Sequence, residues 1–100
     1  MFIISITYIV SLEEIDRHLD DHVAYLKEQY DLGNFIASGR KIPRTGGVIL
    51  SKMNSFEELH DILEKDPFKV NALATYEVIE FMPSMTAKGF ENLLDEDKLL

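Results

Sequence analysis

His22 is the side chain whose type and position best suit proton-transfer chemistry. The chain has three histidines and no cysteine, so thiol chemistry is excluded and imidazole and carboxylate chemistry remain. His22 lies between Leu19 and Leu26 in a run whose apolar residues recur at helical intervals, and at about 100° per residue it faces inward. Because imidazole titrates near neutral pH, an inward histidine can act as a general acid or base. A buried histidine with only a structural role is the alternative.

Asp66 is followed by Pro67, which is the sequence context of a helix cap. A carboxylate that is held ionised by backbone N–H groups can also fix the tautomer of a nearby imidazole. The two roles are compatible, and a cap alone is the alternative. The separation of 44 residues between His22 and Asp66 gives no distance in space.

Three basic residues fall within five positions of an otherwise acidic chain: Arg40, Lys41 and Arg44. Such a loop can hold the carboxylate or phosphate of a small ligand, and a solvated hairpin loop is the alternative. Three polar side chains of the first apolar run could line a cleft: Ser5, Thr7 and Tyr8. Nucleophilic Ser-His-Asp catalysis is disfavoured, because the sequence has no nucleophile-elbow signature.

A metal site is the other chemistry that the histidines suggest. His18 and His22 have the i, i+4 spacing that places two ligands on one helix face. The intervening residues lack the catalytic glutamate of metalloprotease helices, and no third ligand is evident. We therefore expect neither a metal nor another cofactor, with His18 on the solvated flank of the helix and His60 on an acidic surface helix.

Length and charge limit the classes of function. A chain of 100 residues fits one domain, and we expect a core of about residues 1–83 with a tail of residues 84–100. A net charge of −8 argues against nucleic-acid binding, which depends on basic side chains. The apolar residues 1–10 are too short for a membrane span and lack the basic start of a signal peptide. We expect a cytoplasmic protein without membrane or nucleic-acid partners.

Hydrophobic periodicity predicts the elements that position these side chains. Two capping-box spacings, Ser11 with Glu14 and Ser55 with Glu58, mark helix starts, and Gly33 marks a helix end. Alternating or short apolar runs between turn residues indicate strands. The expected order is a strand at 2–10, a helix at 12–32, a hairpin at 35–39 and 47–51, a short helix after Ser55 that restarts at Pro67, a strand at 74–82, and a weak helix or docking arm in the tail.

This β-α-β-β-α-β order is typical of an α+β ferredoxin-like fold with an antiparallel four-stranded sheet. Right-handed crossovers place both helices on one side of the sheet. The other side is left bare, although the first strand is apolar in both registers and the last strand offers Ile79 and Phe81. Exposed apolar faces mark interfaces, so we expect a homodimer joined sheet to sheet.

The sequence resembles the YciI (YCII-related) family of small bacterial proteins. The resemblance covers most of residues 1–83: the early apolar strand, the helix segment HLDDHVAYL that holds His22, the segment FIASG, and the tripeptide Asp-Pro-Phe that begins at Asp66. It implies a ferredoxin-like fold that dimerises into an α+β barrel, akin to muconolactone isomerases.

The resemblance also implies a His-Asp pair in a cleft, which falls on His22 and Asp66. Ser38, in FIASG, joins Tyr8, Arg40 and Arg44 as an expected substrate-binding residue. Relatives often have a proline after the Ser-Gly of this segment, where this chain has Arg40, which implies a more cationic rim.

Our leading hypothesis is a homodimeric small-molecule enzyme of isomerase, lyase or dehalogenase type that moves protons on a small anionic organic substrate. The competing hypothesis is a non-catalytic ligand-binding or stress-related homodimer that uses the same cleft. A third hypothesis, an assembly module, requires that the helix and sheet layers meet without a cavity.

Overall fold

A computed structural model of the protein describes residues 1–94. Its four strands are β1 (Phe2–Tyr8), β2 (Phe35–Arg40), β3 (Gly46–Ser51) and β4 (Ala74–Glu80). Its helices are α1 (Leu12–Arg17), α2 (Leu19–Asp31), α3 (Phe56–Leu63) and α4 (Pro67–Val70), followed by a short 3₁₀ turn (Glu91–Leu93). The strands form one sheet in the order β2-β3-β1-β4, with antiparallel neighbours throughout. This topology confirms the predicted α+β ferredoxin-like fold.

The predicted helix starts are confirmed, but the continuous helix predicted at residues 12–32 is wrong. The Ser11 and Ser55 side chains accept hydrogen bonds from the backbone N–H groups of Glu14 and Glu58. The first helix breaks at His18, whose φ of −108° and ψ of 4° lie outside the helical region. The break lets the two helices pack in different hydrophobic clusters. Ile15 of α1 packs with Phe68 of α4, while Tyr25 of α2 packs against the sheet.

One face of the sheet forms the main core. Phe2, Ile4 and Ile6 of β1 are buried on this side and pack in one cluster with Tyr25 of α2 and with α3. The opposite face carries none of the helices of residues 1–94 (the helix-free face) and has an apolar row that crosses all four strands. Its residues pair in register as Ala37, Leu50, Ile3 and Ile79.

The chain leaves the sheet earlier than the sequence indicates. The last strand ends at Glu80 rather than at residue 82, although Phe81 still donates its backbone N–H to the carbonyl oxygen of Met1. In the tail, the Lys52 ammonium donates to the carbonyl oxygen of Asn92. Residues 95–100 of the predicted tail lie outside the described residues. Among the described helices, none combines the length and apolar character that crossing a membrane requires.

Candidate active site

Two helix starts position the candidate site. His22 lies in the first turns of α2 and is turned inward, as predicted, with only 9% of its surface exposed. Asp66 is the N-cap of α4 and is fully buried. Its Oδ1 accepts the backbone N–H of Phe68 at 3.0 Å, which confirms the predicted cap.

The fold brings His22 and Asp66 together. His22 Nδ1 lies 2.7 Å from Asp66 Oδ1, although 44 residues separate them along the chain. An ionised carboxylate only accepts hydrogen bonds, so this contact assigns the proton of a neutral imidazole to Nδ1. Nε2 is then left with its lone pair free. The geometry provides a hydrogen-bonded pair, and its catalytic role stays a prediction.

Tyr76 supplies a further hydrogen bond to the pair. Its hydroxyl donates to Asp66 Oδ2 at 2.6 Å. Burial, and then the negative charge of Asp66, raise the pKa of Tyr76, so the phenol keeps its proton and acts as a donor. Tyr76 has no functional signal in the sequence, because an aromatic residue in an apolar strand has the same pattern as a core residue.

Phe68 fixes the plane of the imidazole. The ring of His22 stacks on that of Phe68, with centroids 3.9 Å apart and planes at 6°. The ring of Tyr8 meets Phe68 edge-on, at 5.9 Å and 88°. The Asp-Pro-Phe tripeptide is part of the family resemblance, but the stacking of the two rings follows only from the fold.

A cavity of about 150 Å³ opens between α2 and the β2–β3 hairpin. Five of the six predicted site residues line it: Tyr8, His22, Ser38, Arg40 and Arg44. Asp66 is not among the lining residues and contacts the cavity only through His22. An apolar cavity of about this size holds a molecule such as benzene.

The three basic residues at the end of β2 and in the β2–β3 loop do not all converge on the cavity. Lys41 is not in its lining, and the Lys41 ammonium instead donates to the hydroxyl of Thr7 at 3.2 Å, so the expected cationic cluster reduces to Arg40 and Arg44. Arg44 Nη2 lies 2.5 Å from Asp16 Oδ1. This hydrogen bond lowers the pKa of Asp16 and raises that of Arg44.

The remaining predicted residues have mainly local partners. The Ser38 hydroxyl lies 2.5 Å from that of Tyr30. His18 Nε2 lies 3.6 Å from a Glu14 carboxylate oxygen, and exposed His60 lies 3.4 Å from Glu64. Within residues 1–94, no three His, Asp or Glu side chains are grouped so that they could hold a metal ion.

Comparison with known proteins gives one match to a family and a match in fold. The family described as the YCII-related domain matches residues 1–82. The solved structure of 5-chloro-2-hydroxyhydroquinone dehydrochlorinase (TftG) from Burkholderia phenoliruptrix AC1100, in complex with 2,5-dihydroxybenzoquinone, is similar with a TM-score of 0.70. The two chains are 22% identical, and the match covers 80% of this chain and 91% of that chain. At this identity the likeness concerns the fold. No curated protein matches the sequence.

Proposed function

This chain belongs to the YCII-related domain family, and we propose that it is an enzyme that moves a proton on a small anionic organic molecule. The observation that carries the proposal is the bond of 2.7 Å between His22, which lines a cavity, and the buried Asp66 behind it. A general acid or base requires such a side chain within reach of a bound molecule.

In the proposed mechanism, His22 Nε2 exchanges the proton. Asp66 occupies Nδ1, so Nε2 is the nitrogen left for the substrate. When Nε2 accepts a proton, the imidazolium gains the adjacent carboxylate as a counter-charge. Asp66 is a positioning residue in this mechanism, since it touches His22 rather than the cavity.

The other predicted residues bind and orient the substrate. Arg40 and Arg44 provide positive charge at the cavity, and Tyr8 and Ser38 provide hydroxyl groups. The structural neighbour TftG is named as a dehydrochlorinase and was solved with a quinone of a single ring. A reaction of isomerase, lyase or dehalogenase type on a ring of this size is compatible with a cavity of about 150 Å³.

The competing proposal is a binding protein without catalysis. Most of the cavity lining is apolar, including Ile6, Leu19 and Ile49, as is common in small-molecule binding sites. In that case the His22–Asp66 bond would only satisfy two buried polar groups.

Hydrogen exchange tests the enzyme proposal directly. A panel of lactones, quinones and enolisable acids is incubated with the protein in heavy water, and loss of C–H signals is followed by proton NMR. We expect exchange of at least one compound to be accelerated, and His22→Asn to slow it by about 100-fold or more. His60→Asn is the control, because His60 is exposed.

Full exchange activity in His22→Asn would contradict the mechanism. Panel compounds that bind without exchange would favour the binding protein.

The proposal extends to assembly and location. We propose that two copies associate through the helix-free sheet face, where Ile79 and Phe81 are 47% and 40% exposed. The expected partners are a small-molecule ligand and a second copy, with no nucleic acid or membrane. The single domain over residues 1–100 and the cytoplasmic location stay predictions.

A further inference from the structure

The carboxylate of Asp66 receives hydrogen bonds from three different elements. Oδ1 faces both the backbone N–H of Phe68 in α4 and the Nδ1 of His22 in α2, at 3.0 Å and 2.7 Å. Oδ2 accepts from the Tyr76 hydroxyl of β4 at 2.6 Å. Among the described residues, Tyr76 supplies the one hydrogen bond that Oδ2 accepts. Because Asp66 is fully buried, bulk water cannot replace that bond.

This division of the donors between the two oxygens is unequal. A carboxylate has two equivalent acceptor oxygens, so Phe68 and His22 could each bond a different one. In the structure they share Oδ1, while Oδ2 is kept for Tyr76. Turning Oδ2 away from the phenol would leave the hydroxyl without its acceptor, which is unfavourable in a protein interior. The Tyr76 hydroxyl therefore opposes rotation of the carboxylate.

Tyr76 is itself held in place on both sides. It pairs in register with the buried Ile6 of β1, and its ring packs against both hydrophobic clusters. The Lys69 ammonium lies 5.0 Å from the centroid of the ring, within the range of a cation–π contact. Lys69 belongs to α4, the helix that Asp66 caps, so this contact joins β4 to α4 beside the carboxylate.

The hydroxyl acts as a fixed donor and does not transfer a proton. Burial, and then the negative charge of Asp66, raise the pKa of Tyr76, so the phenol stays protonated. Tyr76 is also absent from the lining of the cavity, so it does not touch a bound molecule.

We infer that Tyr76 is a positioning residue, whose hydroxyl holds Asp66 in the orientation that directs His22 Nε2 toward the cavity. The effect on rate rests on the proposed function, whereas the orientation of Asp66 can be tested without any reaction. Loss of the hydroxyl would let the carboxylate rotate and give Phe68 and His22 an oxygen each. The imidazole would follow its new acceptor, and Nε2 would change direction.

The first test is proton NMR of the Nδ1–H of His22 in the full chain. Tyr76→Phe removes the hydroxyl and keeps the ring. We expect the Nδ1–H resonance to move downfield, because an oxygen that no longer serves two donors forms a stronger bond with this one. Tyr25→Phe is the matched control, since the buried Tyr25 hydroxyl donates to the Ile62 carbonyl oxygen at 2.8 Å and not to Asp66.

A second variant changes the strength of the bond without removing it. A ring-fluorinated tyrosine at position 76 is a stronger donor of nearly the same size, and it draws more charge toward Oδ2. We expect the His22 Nδ1–H resonance to move upfield, opposite to the shift in Tyr76→Phe. The same fluorinated residue at position 25 should leave the resonance unchanged. This pair decides the question even if Tyr76→Phe does not fold.

The rate test uses a panel compound whose hydrogen exchange depends on His22. Tyr76→Phe should slow its exchange by about tenfold, because a small displacement of a catalytic group has a large effect on rate. The dissociation constant of the compound should stay the same, since Tyr76 does not line the cavity. Tyr25→Phe should change neither quantity.

An unchanged Nδ1–H resonance in the variants at position 76, or equal shifts in those at position 25, would overturn the inference. An exchange rate equal to that of the wild type in Tyr76→Phe, or a loss of affinity equal to the loss of rate, would also overturn it. Absence of His22-dependent exchange for every compound refutes the proposed function instead, and the NMR shifts still decide whether Tyr76 orients Asp66.

Discussion

At Asp66, one carboxylate caps a helix and contacts an imidazole at the same time. Oδ1 accepts from Phe68 and faces His22, and Oδ2 accepts from Tyr76. The cap and the inward direction of His22 could be predicted, because each depends on residues close in sequence. The Tyr76 contact could not, because it depends on the position of β4 relative to α4 in the folded chain.

Asp66→Asn should reduce the rate of proton exchange more than it reduces ligand binding. An amide oxygen can still accept the Phe68 N–H, so the cap survives. That oxygen takes the place of Oδ1 and still accepts from Nδ1, while the NH₂ takes the place of Oδ2 beside Tyr76, so the variant loses the negative charge that stabilises the imidazolium. We expect exchange to slow by about 10- to 100-fold, the usual effect of removing such a positioning group.

Nitrogen NMR of the imidazole should show that Nδ1 keeps its proton, so that the slower exchange reflects the lost charge, and Asp20→Asn, an exposed position, is the control. Parallel losses of rate and affinity, or an unchanged exchange rate, would contradict the role of Asp66.

The buried tyrosines predict lower stability at alkaline pH. Burial, followed by the charge of Asp66, raises the pKa of both Tyr25 and Tyr76. Above the ordinary tyrosine value of 10.0, the unfolded chain loses these protons while the folded chain keeps them. The unfolded state then binds fewer protons, so the free energy of unfolding falls as pH rises.

Urea unfolding between about pH 8 and about pH 11 should show this slope, up to about 1.4 kcal/mol per pH unit for each such tyrosine. The slope should be shallower in Tyr25→Phe and Tyr76→Phe than in the wild type, and unchanged in Tyr30→Phe, whose ring is partly exposed. Equal slopes in all four proteins would refute the prediction.

At the scale of the elements, α1 and α2 show that the spacing of apolar residues predicts helix starts but not a break within a helical segment. The apolar spacing and the Ser11 cap predict a helix start and an inward face, and both are confirmed. When two helices meet at a single non-helical residue, their apolar residues recur along the sequence at nearly the same intervals as in one continuous helix. The break at His18 therefore left no clear signal, although it separates the packing of Ile15 from that of Tyr25.

Gly46 is the position at which β3 depends most on the absence of a side chain. A Cβ atom added there would overlap the carbonyl oxygen of Ile6 on β1, which is backbone and cannot move aside alone. Gly46→Ala should therefore destabilise the protein by about 3 kcal/mol, at the upper end for overpacking. Gly39→Ala is the control, since an added Cβ meets nothing within 4 Å.

Urea midpoints with unchanged m-values would measure both effects. Similar stability of the two variants would mean that β1 and β3 can separate at low cost.

At the scale of the whole molecule, the basic side chains at the cavity are opposite in sign to the net charge of the chain. The chain carries −8 overall, yet both of the cations that line the cavity come from the end of β2 and the loop that follows it: Arg40 and Arg44. A local positive site in an acidic protein favours small anions over extended polyanions, because the remaining surface repels the latter. The sequence predicted this loop, but not that Lys41 would turn toward Thr7.

The helix-free face is less apolar than the sequence indicated. Ile3, Leu50 and Ile79 share one row across the sheet, while the next row pairs Ser5 with Val48 and Glu77. The sequence established the alternation of each strand but not its register against its neighbours. The apolar contact is therefore expected at the end of the face where Ile79 lies.

Ile79→Asp should convert a wild-type dimer into a monomer. In a two-fold interface the same residue enters from both copies, so two carboxylates would be buried in the same interface. The penalty is several kcal/mol for each buried ion, which exceeds what a small interface can offset. Sedimentation velocity at micromolar concentration should show the wild type at twice the monomer mass and the variant at the monomer mass.

Val70→Asp is the matched control, because Val70 is 67% exposed on α4, which packs on the opposite face of the sheet. It should remain dimeric. A stable wild-type monomer, or dissociation by Val70→Asp alone, would show that the helix-free face is not where the copies meet. The apolar row would then have to be explained by contacts within a single chain.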